Sequence, residues 1–389
     1  MKALCWIAPD KLSFESVVDP KILKPHDAIV RVTKSTTCGS DLHLLGGFIP
    51  TMKEGDVFGH EFIGEVVETG RDVIKHLRGE RVIGMPLLGC GGCAYCKAGE
   101  WSLCDNTNPN AAMMTKVFGD TTSGALGCSH MMGGYPGCHA EYVRVPYADV
   151  NLISIPDEVS DEKALFLSDA APTGYMAAEF CDIKPGDVVA VWGCGGVGQM
   201  AIRSAFLLGA ERVIAIDRFQ ERLAMAQAHT DCEILNYEEI DVLEALKEMT
   251  GGRGPDACID AVGMESHGLG VSYLYDKVKQ GLMLESDRPQ VLREAIYACR
   301  KGGVISIVGY YSGVIDKFPM GAALNKALRF RMGLQDGQRD VPRLLEHIRK
   351  GELDPSYLIT HRMTLAEAPR GYEMFKHKTD HCVRVVFSR

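Results

Sequence analysis

The sequence predicts an α/β chain of two domains, one β-rich and the other built on a doubly wound parallel sheet. Three observations lead there. At 389 residues the chain exceeds what one hydrophobic core usually organises. Residues 1 to about 155 read as short β-rich segments, among them AIVRVTKST, FIGEVVETG and ERVIGMPLL, separated by Gly, Pro and Asp turns. From about residue 185 apolar strands alternate with amphipathic helical stretches, the pattern of a parallel sheet covered on both faces.

Composition narrows the functional classes. Hydrophobic residues make up 46% and charged residues 24%, the balance of a folded globular chain. The formal net charge of -9 comes without any basic stripe, which argues against a nucleic-acid partner. The opening MKALCWIAPDKLSFESV meets charge within a few residues, and no apolar run reaches membrane-spanning length. A cytoplasmic protein is therefore expected. Its fourteen cysteines are then reduced, and clustered cysteines suggest metal rather than disulfides.

The second half supplies its elements in a regular order. DVVAVWG reads as a strand, GQMAIRSAFLLGA as a helix, RVIAID as a strand and QERLAMAQAH as a helix. ALKEMTGG is helical, and ACIDAVG and VISIVG are strands. Two further helices flank a short extended segment between residues 339 and 375, and CVRVVFS closes the chain as a strand. Residues 264 to 289 lack clean periodicity; such an insertion is either a functional cover or a surface loop.

The turn after DVVAVWG places Gly193, Gly195 and Gly198 in G-x-G-x-x-G spacing between a strand and a helix. The three glycines suit a tight turn, close backbone approach to a pyrophosphate, and close helix-to-strand packing. Asp217 ends the next strand 19 residues after Gly198, where a ribose-binding acid belongs. Its charge favours NAD over NADP. Arg218 and Arg222 beside it could pair with a phosphate, stack on adenine, or be solvated helix charges.

Two groups of residues have the composition of metal sites. CGGCAYCKAGEWSLC contains Cys90, Cys93, Cys96 and Cys104; four thiolates fill a tetrahedral zinc and leave no open position, so this would be a structural site, with free thiols or an iron-sulfur cluster as the alternatives. STTCGSDLHLLGG and VFGHEFIGEVVETG contribute Cys38, Ser40, Asp41, His43, His60 and Glu61. A third element is ALFLSDAAPTGYMAA, an apolar run holding one carboxylate, Asp169. Burying that charge requires a helix N-terminus, an Arg or a metal.

Together, Cys38, Gly39, Ser40, Asp41 and His43, the GHE at 59 to 61 with Gly64 and Gly70, GERV at 79 to 82, the four-cysteine run and the glycine turn resemble the zinc-dependent medium-chain alcohol dehydrogenases. The resemblance spans essentially the whole chain. It implies a GroES-like β-rich catalytic domain at residues 1–168, a Rossmann domain at 169–332 carrying the 264–289 insertion, and a C-terminal return at 333–389. It also implies a catalytic zinc on Cys38 and His60, with the third ligand falling on Asp169 by its step from Thr173 and Gly174. Glu61 is then a partner behind the ligands or an alternative fourth ligand, with the former favoured. Contacts to the coenzyme are implied for Gly39, Ser40, His43, Thr173, Gly193, Gly195, Gly196, Val197, Gly198, Asp217, Arg218, Arg222, Val262, His267 and Val308.

LSDAAPTGYMAA and TTCGSDLHLLGG are closest in pattern to glutathione-independent formaldehyde dehydrogenase and formaldehyde dismutase. The implied reaction is zinc-assisted hydride transfer from an alcohol or hydrated aldehyde to NAD, with two zinc ions per chain. Ser40 would take the proton and pass it by a coenzyme ribose hydroxyl to His43, unless His43 is only an exposed loop residue. A general short-chain alcohol or polyol dehydrogenase and a non-catalytic NAD-binding scaffold are the rival readings. A homodimer or homotetramer is implied, with the Rossmann edge strand near VISIVG as a candidate interface, a small-molecule substrate and no membrane or nucleic-acid partner.

Overall fold

The computed structural model describes residues 1–264 and 288–389, so His267 and nearly all of the predicted insertion lie outside the described residues. The chain divides into two compact units, Met1–Pro172 with Gln335–Arg389, and Thr173–Leu334. No helix among the described residues is long and apolar enough to cross a membrane.

The first unit is organised by one long strand, Ala28–Thr36, whose alternating Ala28, Val30 and Val32 are buried. It pairs antiparallel with Glu61–Thr69 along its length. Its other edge is shared: Tyr142–Val145 pairs with its beginning and Val385–Ser388 with its end. The sheet continues from Glu61–Thr69 through Arg81–Gly84 to Leu152–Ser154, and His361–Thr364 extends it beyond Val385–Ser388. The core between these strands gathers Val30, Phe62, Val66, Val82, Leu88 and Val143. Gly84 is required where it stands, because a Cβ there would enter the ring of the buried Phe62. The closing strand predicted from CVRVVFS is thus paired beside Thr36, and the strand that ends before Cys38 and the strand that begins after His60 are neighbours in one sheet.

In the second unit the six strands are all parallel in the order Glu233–Asn236, Arg212–Asp217, Val188–Trp192, Ala257–Asp260, Val304–Ile307 and Arg329–Met332. This is the 3-2-1-4-5-6 order of a Rossmann sheet. All five residues of Val188–Trp192 are buried. Val189 and Val191 pack into the cluster on one face of the sheet, with Ala201, Ile202 and Ala205 of helix Gly196–Leu207. Val188, Ala190 and Trp192 pack on the other face, against Val242 and Leu246 and against Val291, Leu292, Ala295 and Ile296. The continuous apolar strand sequence follows from this two-sided burial.

Val304–Ile307, the heart of VISIVG, is hydrogen-bonded on both sides, to Ala257–Asp260 and to Arg329–Met332, so the sheet edge near it is the next strand among the described residues. The edge is Arg329–Met332, whose Arg329, Arg331 and Met332 are exposed. An interior parallel strand is apolar on both faces, whereas an edge strand facing water carries charge, which also protects it from unintended pairing.

Candidate active site

Helix Gly39–Leu45 starts three residues after the long strand ends, with Cys38 at its N-cap. The Cys38 N–H donates to Asp41 Oδ2 at 2.8 Å, which fixes the turn. Glu61 opens the neighbouring strand, so His60 is held at its entrance. Asp169 directly precedes helix Ala170–Phe180. Its Oδ2 lies 3.5 Å from Cys38 Sγ and 3.7 Å from His60 Nε2, and its Oδ1 accepts from Gln335 Nε2 at 3.4 Å. Ligand atoms of Cys38, His60, Glu61 and Asp169 all fall within 4.8 Å of one another. The carboxylate in the apolar run thus faces a donor cluster.

Charge in this cluster is poorly balanced by protein groups alone. Burial, with Glu61 beside it, pushes the Cys38 thiol up to about 11. Burial also pushes Glu61 up to about 7 despite the Arg384 guanidinium, which donates to Glu61 Oε1 at 2.7 Å. Glu61 Oε2 is buried with no hydrogen-bond partner among the described residues. A cation between Cys38, His60 and Asp169 would stabilise the thiolate and offset these anions, and the S, N, O donor set suits zinc. The residues present fit the metal.

Ser40 and His43 stand three residues apart on the same helix, a spacing that puts them on one face. Ser40 Oγ is 3.3 Å from Cys38 Sγ and 3.5 Å from His60 Nε2. His43 is buried, not exposed on a loop.

The cysteine lobe has its own organisation. Sγ atoms of Cys90, Cys93, Cys96 and Cys104 lie within 4.8 Å of one another. Backbone N–H groups of Gly92 and Cys93 donate to Cys90 Sγ at 3.4 Å, that of Cys96 to Cys93 at 3.4 Å, and that of Cys90 to Cys104 at 3.3 Å. The Asn106 side chain adds a donor to Cys90 at 3.3 Å. Burial raises the Cys90 thiol, but donation from Gly92, Asn106 and Cys93 outweighs it and brings the group down to about 6. Burial pushes the Cys96 and Cys104 thiols up instead, so a cation amid the four sulfurs would be what makes them thiolates together, as a four-cysteine zinc does.

In the second unit the glycine turn has the geometry its spacing requires. Gly193 has φ +88°, and a Cβ there would press on Val262; a Cβ at Gly198 would overlap the Gly193 carbonyl. Gly195 caps helix Gly196–Leu207 and has open space where a Cβ would be, with Arg222 Nη1 its nearest neighbour at 3.8 Å. Gly196, Val197 and Gly198 form the first turn of that helix. Asp217 Oδ2 accepts from the Cys194 N–H at 2.7 Å, and Oδ1 from Arg218 and Phe219 N–H at 2.7 and 3.1 Å. Arg218 and Arg222 both lie over the Phe219 ring, 4.6 and 4.9 Å from its centroid. Val262 N–H bonds Asp260 Oδ1 and Val308 N–H bonds the Asp260 carbonyl, both at the C-terminal ends of the parallel strands; Thr173 lies in the first turn of its helix.

Sequence reasoning did not find Arg384, Tyr372, His139, Gln335 or Asn106. Asn106 could have been suspected from its place two residues after Cys104; the other four act from distant stretches.

Comparison with known proteins agrees with this geometry. The family model described as alcohol dehydrogenase GroES-like domain matches residues 24–157, and that described as zinc-binding dehydrogenase matches residues 196–277. An uncharacterized zinc-type alcohol dehydrogenase-like protein of Bacillus subtilis is 39% identical over 389 residues, covering 99% of each chain. The chain belongs to the zinc-dependent medium-chain alcohol dehydrogenases. Among solved structures of this family, alcohol dehydrogenase TADH from Thermus sp. ATN1 superposes with a TM-score of 0.82 at 33% identity, covering 100% of this chain and 99% of that one. Glutathione-independent formaldehyde dehydrogenase of Bacillus subtilis is 34% identical over 370 residues, covering 90% of this chain and 84% of that one.

If Cys38, His60 and Asp169 hold one zinc and the four cysteines another, replacing Asp169 by Ala would remove a ligand from the first site and none from the second. Metal analysis of Asp169→Ala is expected to show loss of the zinc bound near Cys38 and full retention of the zinc bound by Cys90, Cys93, Cys96 and Cys104. Equal loss from both sites, or from neither, contradicts the assignment.

Proposed function

We propose that this alcohol dehydrogenase oxidises a small alcohol or hydrated aldehyde, with a formaldehyde-type substrate favoured, using NAD and one catalytic and one structural zinc per chain. The observation that carries the reading is the convergence of Cys38, His60, Glu61 and Asp169 within 4.8 Å, with the Ser40 hydroxyl against two of them. Three ligands with a fourth direction open are what a catalytic zinc needs. When bound, zinc supplies a Lewis acid that makes a substrate hydroxyl acidic near neutral pH, and the nicotinamide supplies the hydride acceptor.

The chain's own residues do the rest. Cys38, His60 and Asp169 hold the metal, and Asp169 in place of a second thiolate makes the ligand set harder and less donating. Arg384 holds one oxygen of Glu61, which keeps that carboxylate behind the ligands in the resting arrangement. Ser40 takes the substrate proton, and His43, on the same helix face, passes it on. In the second unit Gly195 and the helix N-terminus behind it suit a pyrophosphate, and the Asp217 charge disfavours a 2'-phosphate. Three backbone N–H groups fix that carboxylate in place.

A formaldehyde-type substrate is supported by Asp169 at the third ligand position and by the 34% identity to the formaldehyde dehydrogenase. A hydrated aldehyde loses hydride from carbon and a proton from oxygen and leaves as the acid. Steady-state kinetics on formaldehyde, short primary alcohols, long alcohols and polyols is expected to give the highest kcat/KM with formaldehyde. Activity on long alcohols with none on formaldehyde contradicts the narrower reading. For the proton path, Ser40→Ala is expected to lower kcat at neutral pH by about 100-fold or more with zinc content unchanged; unchanged turnover removes Ser40 from the path.

A further inference from the structure

Behind His60 runs a line of buried polar groups that the reaction does not touch. His60 Nδ1 is 3.0 Å from Asp41 Oδ1. The other oxygen of Asp41 accepts from the Tyr372 hydroxyl at 2.6 Å, besides the Cys38 N–H. His139 Nε2 is 2.7 Å from the same hydroxyl, and His139 Nδ1 is 2.8 Å from Ser35 Oγ. Ser35, Asp41, His139 and Tyr372 are each 2% exposed or less, so these bonds have no competition from solvent. They come from four separate stretches of the first unit: the long strand, the Cys38 helix, the turn before Tyr142–Val145, and helix Ala368–His377.

Counting protons gives this line a direction. An ionised carboxylate only accepts, so the single Tyr372 proton points at Asp41. The Tyr372 oxygen must then accept from His139 Nε2–H. Burial holds the His139 imidazole down at about 4, so it is neutral near pH 7 and has one N–H. Its Nδ1 is therefore bare and accepts from Ser35 Oγ–H. At the far end Asp41 again only accepts, so His60 carries a proton on Nδ1, which leaves Nε2, facing Asp169 and Ser40, as the nitrogen a metal would take. Gly59, next to His60, has φ +87°, and a Cβ there would collide with the His139 ring. The imidazole thus also packs on the backbone that carries the ligand.

We propose that Tyr372 and His139 are positioning residues for the catalytic metal: the line Ser35, His139, Tyr372, Asp41 fixes the tautomer and ring orientation of His60, and so sets the zinc affinity of the Cys38 site. The proposal rests on reading that site as a zinc site. Carboxylate partners of metal-bound histidines typically change affinity by about 10- to 100-fold when lost. Here the carboxylate is itself held by a tyrosine, and the tyrosine by a neutral histidine.

The test is competition between the holoenzyme and a chromophoric zinc chelator, with the two zincs followed separately. Tyr372→Phe keeps the ring among Phe58, His139 and Phe387 and removes only the hydroxyl. It is expected to weaken the Cys38-site zinc about 10-fold or more, with the cysteine-lobe zinc unchanged. Should this variant fail to fold, His139→Gln and His139→Leu decide: Gln keeps a donor for the Tyr372 oxygen and retains affinity, whereas Leu loses it. Unchanged affinity in Tyr372→Phe, equal weakening of both zincs, or equal affinities in the two His139 variants overturns the proposal. A wild-type protein that binds a single zinc instead defeats the underlying zinc reading, so the two failures are distinguishable.

Discussion

The negative charge gathered around His60 is the constraint on which the catalytic domain depends. Cys38, Glu61 and Asp169 are brought together with ligand atoms within 4.8 Å, and Asp41 stands behind His60 at 3.0 Å. Arg384, a buried cation, donates to Glu61 Oε1 and to the Thr37 carbonyl. Like charges at such distances in a poorly solvated site repel by several kcal/mol each, so an apo cluster must take up protons or a cation. Burial first, with the neighbouring anions adding to it, holds both Cys38 and Glu61 up in the metal-free cluster. A dication held by Cys38, His60 and Asp169 would favour the thiolate and offset the carboxylate charge.

The same constraint gives a reason for the chain's route. Residues 335–389 return to the first unit after the second has been completed. That return brings Arg384 against Glu61, Tyr372 against Asp41, and Gln335 against Asp169. Pairing of Val385–Ser388 beside Thr36 fixes the strand on whose approach Arg384 lies, since Val386 opposes Thr36 two residues before Cys38. Every anion of the cluster except the thiol therefore has a neighbour delivered by the last segment. A closing strand that reads as generic β-sequence carries the electrostatic balance of the site.

The donor residues were legible in the sequence because their signals are local. Four cysteines within fifteen residues, a Gly-His-Glu turn and an isolated carboxylate in ALFLSDAAPTGYMAA need no knowledge of topology to be singled out. The glycine turn was legible for the same reason, and each glycine meets a distinct steric demand in the fold. The supports behind the ligands were not. Tyr372 lies in APRGYEMF, which reads only as an amphipathic helix, and His139 lies in a turn; their roles arise from contacts across more than 200 residues of chain. The edge strand near VISIVG was not itself legible, because apolar content marks a strand, while being at an edge depends on which neighbour is missing. Arg329–Met332, with its charges, is weak as a strand signal and is nonetheless the last strand of the sheet.

The central claim is that one chain holds two zincs of different kinds, one closed by four sulfurs and one open between Cys38, His60 and Asp169. Anomalous scattering from crystals of the purified protein, measured on both sides of the zinc absorption edge, tests it most directly. The account predicts two peaks per chain, one amid Cys90, Cys93, Cys96 and Cys104 and one bounded by Cys38 Sγ, His60 Nε2 and an Asp169 oxygen. A single peak in the cysteine lobe of zinc-replete protein, with no metal near His60, would contradict it.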